Sequence, residues 1–303
     1  MNVQGAFNLL FRPGLRKDFR DNYDRYEPEY VKFLKSDTMS TPEISATIMT
    51  GPSRMTELGD NDPIAFQDLV FGPKVMGTDK EWGIGISLSH KAVEDDQYGK
   101  LKDGAKYMAW AARMTQEYRS AQFLDDAFTG TNFKGIDSLK LISNAHTYLN
   151  ATGTWSNTPT NQVGFGITGV TALLDLAMIQ RDHNADPMKV VPNKLIIPNT
   201  AGSLHKALQI FGSEKEPFTA ENQDNAIKKR YGSMQIEVSR FMTSTTNYFM
   251  IDDRWNDAHF VTRRGVTQDD WYDKNTRAAM YSATQRFLIW FVDPRGWYGS
   301  NPT

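Results

Sequence analysis

The chain has 303 residues, 40% of them hydrophobic and 23% charged, with a formal net charge of −2 and no cysteine. That length supports one large domain or two ordinary ones with substantial cores. The near-neutral charge argues against a dedicated nucleic-acid binder and against strong attraction to anionic membranes; the lack of cysteine removes disulfides, thiolate catalysis and cysteine-ligated metal sites; and no stretch is apolar for long enough to span a bilayer.

The first 37 or so residues read as an arm. RKDFRDNYDRYEPEYVKFL mixes both charge signs with Phe19, Tyr23, Tyr26, Tyr30, Phe33 and Leu34 at spacings of three or four, so short helix is expected, interrupted at Pro28. A segment this polar has little core of its own. It is either a frayed terminus or a strap whose aromatics need a neighbour's groove.

From Ser40 to Asp96, β-branched residues alternate with polar ones, punctuated by Gly51-Pro52, Gly59-Asp60, Gly72-Pro73 and Gly77. This predicts an extended hairpin with thin apolar content and two largely polar faces. Such a ribbon is open to slippage and edge pairing unless a partner covers it. WGIGISL, from Trp82 to Leu88, alternates cleanly and is expected to re-enter a core.

Gly99 to Gly130 gives the clearest helix, about 45 Å long at ~1.5 Å per residue. Tyr107, Trp110, Ala111, Met114, Tyr118, Ala121 and Phe128 share one stripe, and Leu101, Ala105, Met108 and Ala112 an adjacent one. The aromatic stripe is most simply core, and the helix a spine.

A second helix is expected near Thr168 to His183, with Val170, Leu173, Leu174, Ala177 and Met178 inward. KVVPNKLIIPNTA then reads as a buried strand, Lys194 to Pro198, followed by a helix that Asn199 or Thr200 caps and Gly212 closes, with Leu204, Ala207, Leu208 and Phe211 inward. With MQIEVSRFM, NYFMIDD and AHFVTRRG as further strands, a compact mixed α/β subdomain is expected from about Gly164 to Trp255. MYSATQRFLIWFVDP alternates and then turns wholly apolar, as a strand crossing a sheet interior does.

The chemistry-bearing motifs are weak. The joint after Ile197 carries Pro198 where a phosphate cradle would need amide donors, so it is a connection. Gly83-Ile84-Gly85 lacks the third glycine and the helix of a dinucleotide fingerprint. The five histidines, His90, His146, His183, His205 and His259, show no ligand spacing. Asp60-Asn61-Asp62 would suit a hard cation, as would Glu94, Asp95 and Asp96, but turn formation accounts for the first group and a helix dipole for the second. No catalytic, cofactor or metal residue is assigned.

The order of parts nonetheless resembles one family. WGIGISLSHKAVEDDQYG looks like the strand and turn that lead to the spine helix of tailed-bacteriophage major capsid proteins, KLIIPNTA like their buried strand and helix, and NYFMIDD with HFVTRRG like a later strand pair. The resemblance covers nearly the whole chain. It implies the α+β Hong Kong 97-type capsid fold, in four parts: an N-terminal arm (1–43), an E-loop hairpin (44–81), a P-domain with the spine helix at about 99–130 (82–150 and 256–290), and an A-domain (151–255 and 291–303).

The function so implied is that of a major head protein, self-assembling into hexamers and pentamers of an icosahedral or prolate phage head. It would be part of the virion, assembled in the host cytoplasm, and would enclose double-stranded DNA without binding it specifically. Implied partners are further copies of the chain, a portal, a possible decoration protein and a scaffolding protein. Many relatives carry a scaffold-like segment ahead of the arm; here the arm begins almost at Met1, so a separate scaffold is expected. Subunit-interface residues are expected at Arg16, Arg20, Tyr26, Arg54, Glu57, Asp60, Asp62, Phe66 and Lys74. Two alternatives stand beside this reading: an encapsulin-like cargo shell, and a cation-dependent transferase using Asp60 and Asp62.

Overall fold

The structure, a computed structural model, describes residues 12–89, 98–218, 223–276 and 278–302. Glu94, Asp95, Asp96 and His90 fall outside the described residues. Chain order runs from helix α1 (Arg12–Arg25) through a 3₁₀ turn (Tyr30–Lys32) to strand β1 (Lys35–Thr38). A ribbon follows: β2 (Glu43–Ala46), β3 (Met49–Thr50), β4 (Val70–Phe71) and β5 (Val75–Thr78). Strand β6 (Lys80–Ser89) precedes the spine helix α2 (Tyr98–Asp125). After the short pair β7 (His146–Thr147) and β8 (Thr154–Trp155) come α3 (Ile167–Met178), β9 (Lys194–Pro198), α4 (Ser203–Gly212) and α5 (Ala226–Tyr231). The last strands are β10 (Gln235–Ser239), β11 (Tyr248–Ile251), β12 (Ala258–Asp273), β13 (Ala278–Phe291) and β14 (Trp297–Ser300).

Two four-stranded sheets organise these elements. One has the order β1-β12-β13-β6, the other β10-β9-β11-β14. β9 and β10 run parallel and are joined through α4 and α5, a crossover that needs intervening helix because a hairpin cannot connect parallel strands. β11 pairs antiparallel with both β9 and β14, so the second sheet is mixed. In the first sheet the arm strand β1 lies parallel on the edge of β12.

The residues β9 was expected to bury are fully inside: Leu195, Ile196 and Ile197. On β6 the alternation points Trp82, Ile86 and Leu88 toward the core, although Ile84 remains exposed. Helix α4 starts differently from the expectation. Gly202 is its N-cap, at φ 83°, with no side-chain cap, and Ser203 Oγ instead donates back to Pro198 O (2.9 Å) and Thr200 O (2.8 Å). A left-handed φ at that position suits glycine, which has no Cβ to clash.

The main cluster joins both sheets to the C-terminal end of α2. Phe123 meets Phe133, Phe291 and Trp297 edge-on at centroid distances of 5.4, 5.9 and 5.7 Å, within the range for favourable aromatic pairs. Tyr30, Phe33 and Leu34 enter the same cluster, Tyr30 stacking on Phe260 at 4.2 Å. Phe19 is buried with Ala105, Met108, Ala109 and Ala112 of the spine. The expectation that the arm's aromatics need a neighbour's groove is therefore corrected for these four residues. Residues this apolar take the nearest available apolar surface, and that surface is on their own chain.

The spine itself is turned relative to the expectation. Ala105, Met108, Ala109 and Ala112 face the sheet, while Tyr107 (71% exposed), Trp110 (57%) and Tyr118 (61%) of the aromatic stripe face solvent. Small residues let the helix approach the sheet closely, whereas the bulky stripe on that side would hold it off. In the second unit Leu204, Leu208 and Met178 are likewise exposed, and Ala207, Ile210 and Phe211 carry the buried face of α4.

Candidate subunit interface

The ribbon divides into a seated base and a free tip. At its base β2 pairs with β5 and β3 with β4, both antiparallel. Ile44, Ala46, Ile48 and Val75 pack on a cluster containing Val261, Trp290 and Val292. Gly77 permits this approach: a Cβ there would come within 2.6 Å of Leu288 Cδ2. Asp79 locks the joint between β5 and β6. Its carboxylate, 1% exposed, meets Arg263 Nη1 at 2.8 Å and Arg286 Nε at 2.6 Å. Burial pushes the Asp79 carboxyl up, but the Arg263 hydrogen bond and the two guanidinium charges outweigh it and hold it below the usual carboxylate range.

Beyond Thr50 and Gly51 the ribbon has no regular strands until Val70. Met55, Ile64, Phe66 (95% exposed), Leu69 and Phe71 stand in solvent there. The expected thin apolar content is thus corrected at the tip, where apolar side chains cluster in sequence without cover from their own chain. Four carboxylates, Glu57, Asp60, Asp62 and Asp68, accompany one cation, Arg54. Asp62 accepts the Gly59 N–H at 2.8 Å and Asn61 takes φ 68°, so Asp60-Asn61-Asp62 is a tight turn. Among the described residues no group of three or more His, Asp or Glu side chains is positioned to hold a metal ion.

The second exposed surface is the outer face of α2. Trp110, Met114 and Tyr118 line a groove of about 760 Å³ with Trp82, Arg119 and Phe241. Tyr118 meets Phe241 edge-on at 5.3 Å, and the Arg119 guanidinium lies 4.1 Å over the Trp82 ring. The far wall is fixed by Asp125, which accepts from the backbone N–H groups of Thr243 (2.9 Å) and Ser244 (3.0 Å). A second groove of about 470 Å³ continues from Trp82 and Arg119 past Met76, Phe133, Lys80 and Lys134. The combined surface is aromatic with a cationic rim.

The arm meets the spine at a third place, around Glu117. This carboxylate is buried on α2 and accepts the Glu29 backbone N–H at 2.8 Å, while Glu29 itself pairs with Arg240 at 2.8 Å. Burial, and next among the raising influences the negative charge of Glu29, push the Glu117 carboxyl up to about 7 against the pull of backbone hydrogen bonds. Nearby, Arg113 stacks over the Tyr23 ring at 3.8 Å.

The residues expected at an interface fall into two groups. Arg16, Arg20 and Tyr26 lie on or just after α1; Arg16 pairs with Asp270 of its own chain at 2.9 Å, and burial raises the Tyr26 hydroxyl's pKa. Arg54, Glu57, Asp60, Asp62 and Phe66 lie together on the exposed tip and Lys74 near its base, with Arg54 paired to Asp186 of its own chain. Reading the sequence missed Trp110, Tyr118, Phe241 and Arg119. The one signal available for them was a row of large aromatics on an unusually long helix.

No family model matches the sequence, and a search of curated proteins returns no match. Solved structures do match in fold. A structure from Microbacterium phage Oxtober96 has a TM-score of 0.57 at 10% identity, covering 92% of each chain. A virus-like particle from Pyrococcus furiosus gives 0.55 at 9%, covering 97% of this chain and 100% of the other. The procapsid of bacteriophage JBD30 gives 0.55 at 11%, covering 98% of this chain and 76% of the other. At such identities the likeness is one of fold. This chain has the α+β phage capsid fold expected from its sequence.

Proposed function

We propose that the chain is the shell-forming subunit of a phage head, a structural protein without catalytic turnover that is incorporated into the virion. The observation that carries this reading is a complementary pair of surfaces on one capsid fold. The hairpin tip is apolar and acidic; the groove beside the spine is aromatic and basic at its rim. In one chain the two do not meet, so each is satisfied by a second copy. Phe66 and its neighbours enter the Trp82–Trp110–Tyr118 groove, and Glu57, Asp60 and Asp62 approach Lys80, Arg119 and Lys134. Repetition around a closed symmetry lets modest contacts hold a large particle. Hexameric and pentameric capsomers, a scaffolding protein, a portal, a possible decoration protein and assembly in the host cytoplasm complete this reading. A net charge of −2 suits a container that encloses DNA without gripping it.

The test is electron microscopy and sizing of the purified protein beside Trp110→Ala. Wild type should form shells or capsomers. The variant should fold, since truncating a half-exposed side chain away from special features usually costs about 0.5 kcal/mol. It should nevertheless fail to assemble, as loss of a central aromatic contact costs about 2 kcal/mol or more per interface. Normal shells from the variant would refute the groove's role; a wild type that remains a monomer under all conditions would refute the function. A cargo shell is the second reading, favoured by the similarity to the Pyrococcus particle, and the contents of isolated particles, DNA or protein, discriminate.

A further inference from the structure

The hairpin's first limb rests on a small loop of its own chain, residues 181–187, and the contacts there are of two kinds. The inner contact is partly buried. Thr50, 7% exposed, donates through Oγ1 to Asn184 Oδ1 at 3.0 Å, and Asn184 Nδ2 donates to Gly51 O at 3.0 Å. The outer contact is exposed: Ser53 Oγ and the Arg54 guanidinium both reach the Asp186 carboxylate, with Arg54 Nε at 2.8 Å. The second limb is carried along, because Ser53 N–H donates to Gln67 Oε1 at 3.2 Å.

The loop is rigid from below. Asp182 accepts the N–H groups of Asn184 (2.9 Å) and Asp186 (2.8 Å), which presets the turn, with Ala185 at φ 62°. Arg295, 3% exposed, donates to Arg181 O at 3.0 Å and to His183 Nε2 at 2.6 Å while paired to Asp293. A turn whose backbone groups are held by Asp182 and Arg295 costs more to move than an exposed ion pair. The outer contact, an ion pair open to water, is the weaker of the two.

We infer that the 181–187 loop is a pivot for the hairpin, in which Asn184 is a fixed hinge and Asp186, holding Ser53 and Arg54, is a releasable stop that restrains the strap on its own subunit before assembly. This rests on the proposed exchange of hairpins between copies. Docking into a neighbour's groove requires the tip to swing, and the exposed pair is the contact that swinging breaks. An ion pair open to water is weak enough to be released by competing carboxylate–cation contacts on the partner.

The experiment uses the full chain, kept unassembled by dilution, with Asp186→Asn and Arg54→Gln. The Asp186 side chain hydrogen-bonds only to Ser53 and Arg54 and feels Arg181 of its own loop through charge alone, while the turn is held by the Asp186 backbone, so both variants keep the pivot. Amide exchange at Ser53, whose N–H is held by Gln67, should rise about two- to fivefold in each variant, the opening expected for loss of an exposed pair. Glu237→Gln, which removes the comparable exposed pair with Lys32 elsewhere, should leave hairpin exchange unchanged. On concentration, the two stop variants should assemble faster than wild type by light scattering. Unchanged exchange in both variants overturns the stop; raised exchange with equal or slower assembly overturns its restraining role. If wild type never assembles, the shell reading fails, while the exchange result still decides whether the stop exists.

Discussion

Replacing Phe19 by alanine tests whether the arm belongs to the core of its own subunit. The ring is 2% exposed and is walled by Ala105, Met108, Ala109 and Ala112 on α2 and by Tyr281 and Ala283 on β13. Removing it returns about 150 Å² of apolar contact to water or to a void, worth about 4 kcal/mol at ~25 cal/mol per Å². The wall cannot collapse to fill the space, because its alanines are fixed on a long helix and a sheet. The cost should therefore fall within the roughly 3–5 kcal/mol usual for such truncations. Tyr107→Ala, on the exposed side of the same helix, should cost less than about 0.5 kcal/mol. Urea unfolding of dilute, unassembled subunit, followed by tryptophan fluorescence, measures both. A loss below about 1 kcal/mol for Phe19→Ala would mean that α1 does not sit on its own spine in solution, and the assignment of the arm to the subunit core would be wrong.

Three further outcomes follow from the same contacts. Deleting Ser53 to Gln67 should leave a subunit of unchanged stability that no longer assembles; a longer deletion to Lys80 would also remove Val75 and Asp79 and should unfold the base, and urea midpoints with sizing distinguish the two. Asp79→Ala should cost roughly 2 kcal/mol, less than the full penalty for a broken buried pair because Arg263 and Arg286 retain some access to water. Glu117 sets a pH dependence: its folded pKa of about 7 lies above the ordinary 4.5 of a glutamate, so the junction's stability is full below about pH 4.5 and is lost as pH rises through about 7. Glu117→Gln should flatten that fall in a pH series of thermal melts, and an unchanged slope would refute the assignment.

Much of the frame was legible because local pattern and burial agree. Leu195-Ile196-Ile197 reads as a buried strand and is one; Val170, Leu173, Leu174 and Ala177 read as an inward face and are one. What could not be read was orientation. Periodicity shows that Tyr107, Trp110 and Tyr118 share a stripe, but it does not say which way the stripe points. Hydrophobicity favours burying the aromatics, whereas close helix–sheet approach favours burying alanines, and the approach won. Leu204, Leu208 and Met178 failed in the same way, since one position more or less turns a helix by about 100°. The Asp79 and Arg295 networks were invisible for another reason. The partners of Asp79, and Arg181 and His183 beside Arg295, lie more than a hundred residues away along the chain, and nothing local marks a charged residue as buried.

The alanine face of the spine has a mechanical consequence. A helix separated from a sheet by long side chains can slide as those chains change rotamer, but methyl groups offer no such slack. With Ala105, Ala109 and Ala112 against β13 and β6, load applied at one end of α2 passes into the sheet with little sliding between them. In the proposed shell, a wall tiled from such units would yield at its seams before its tiles deform.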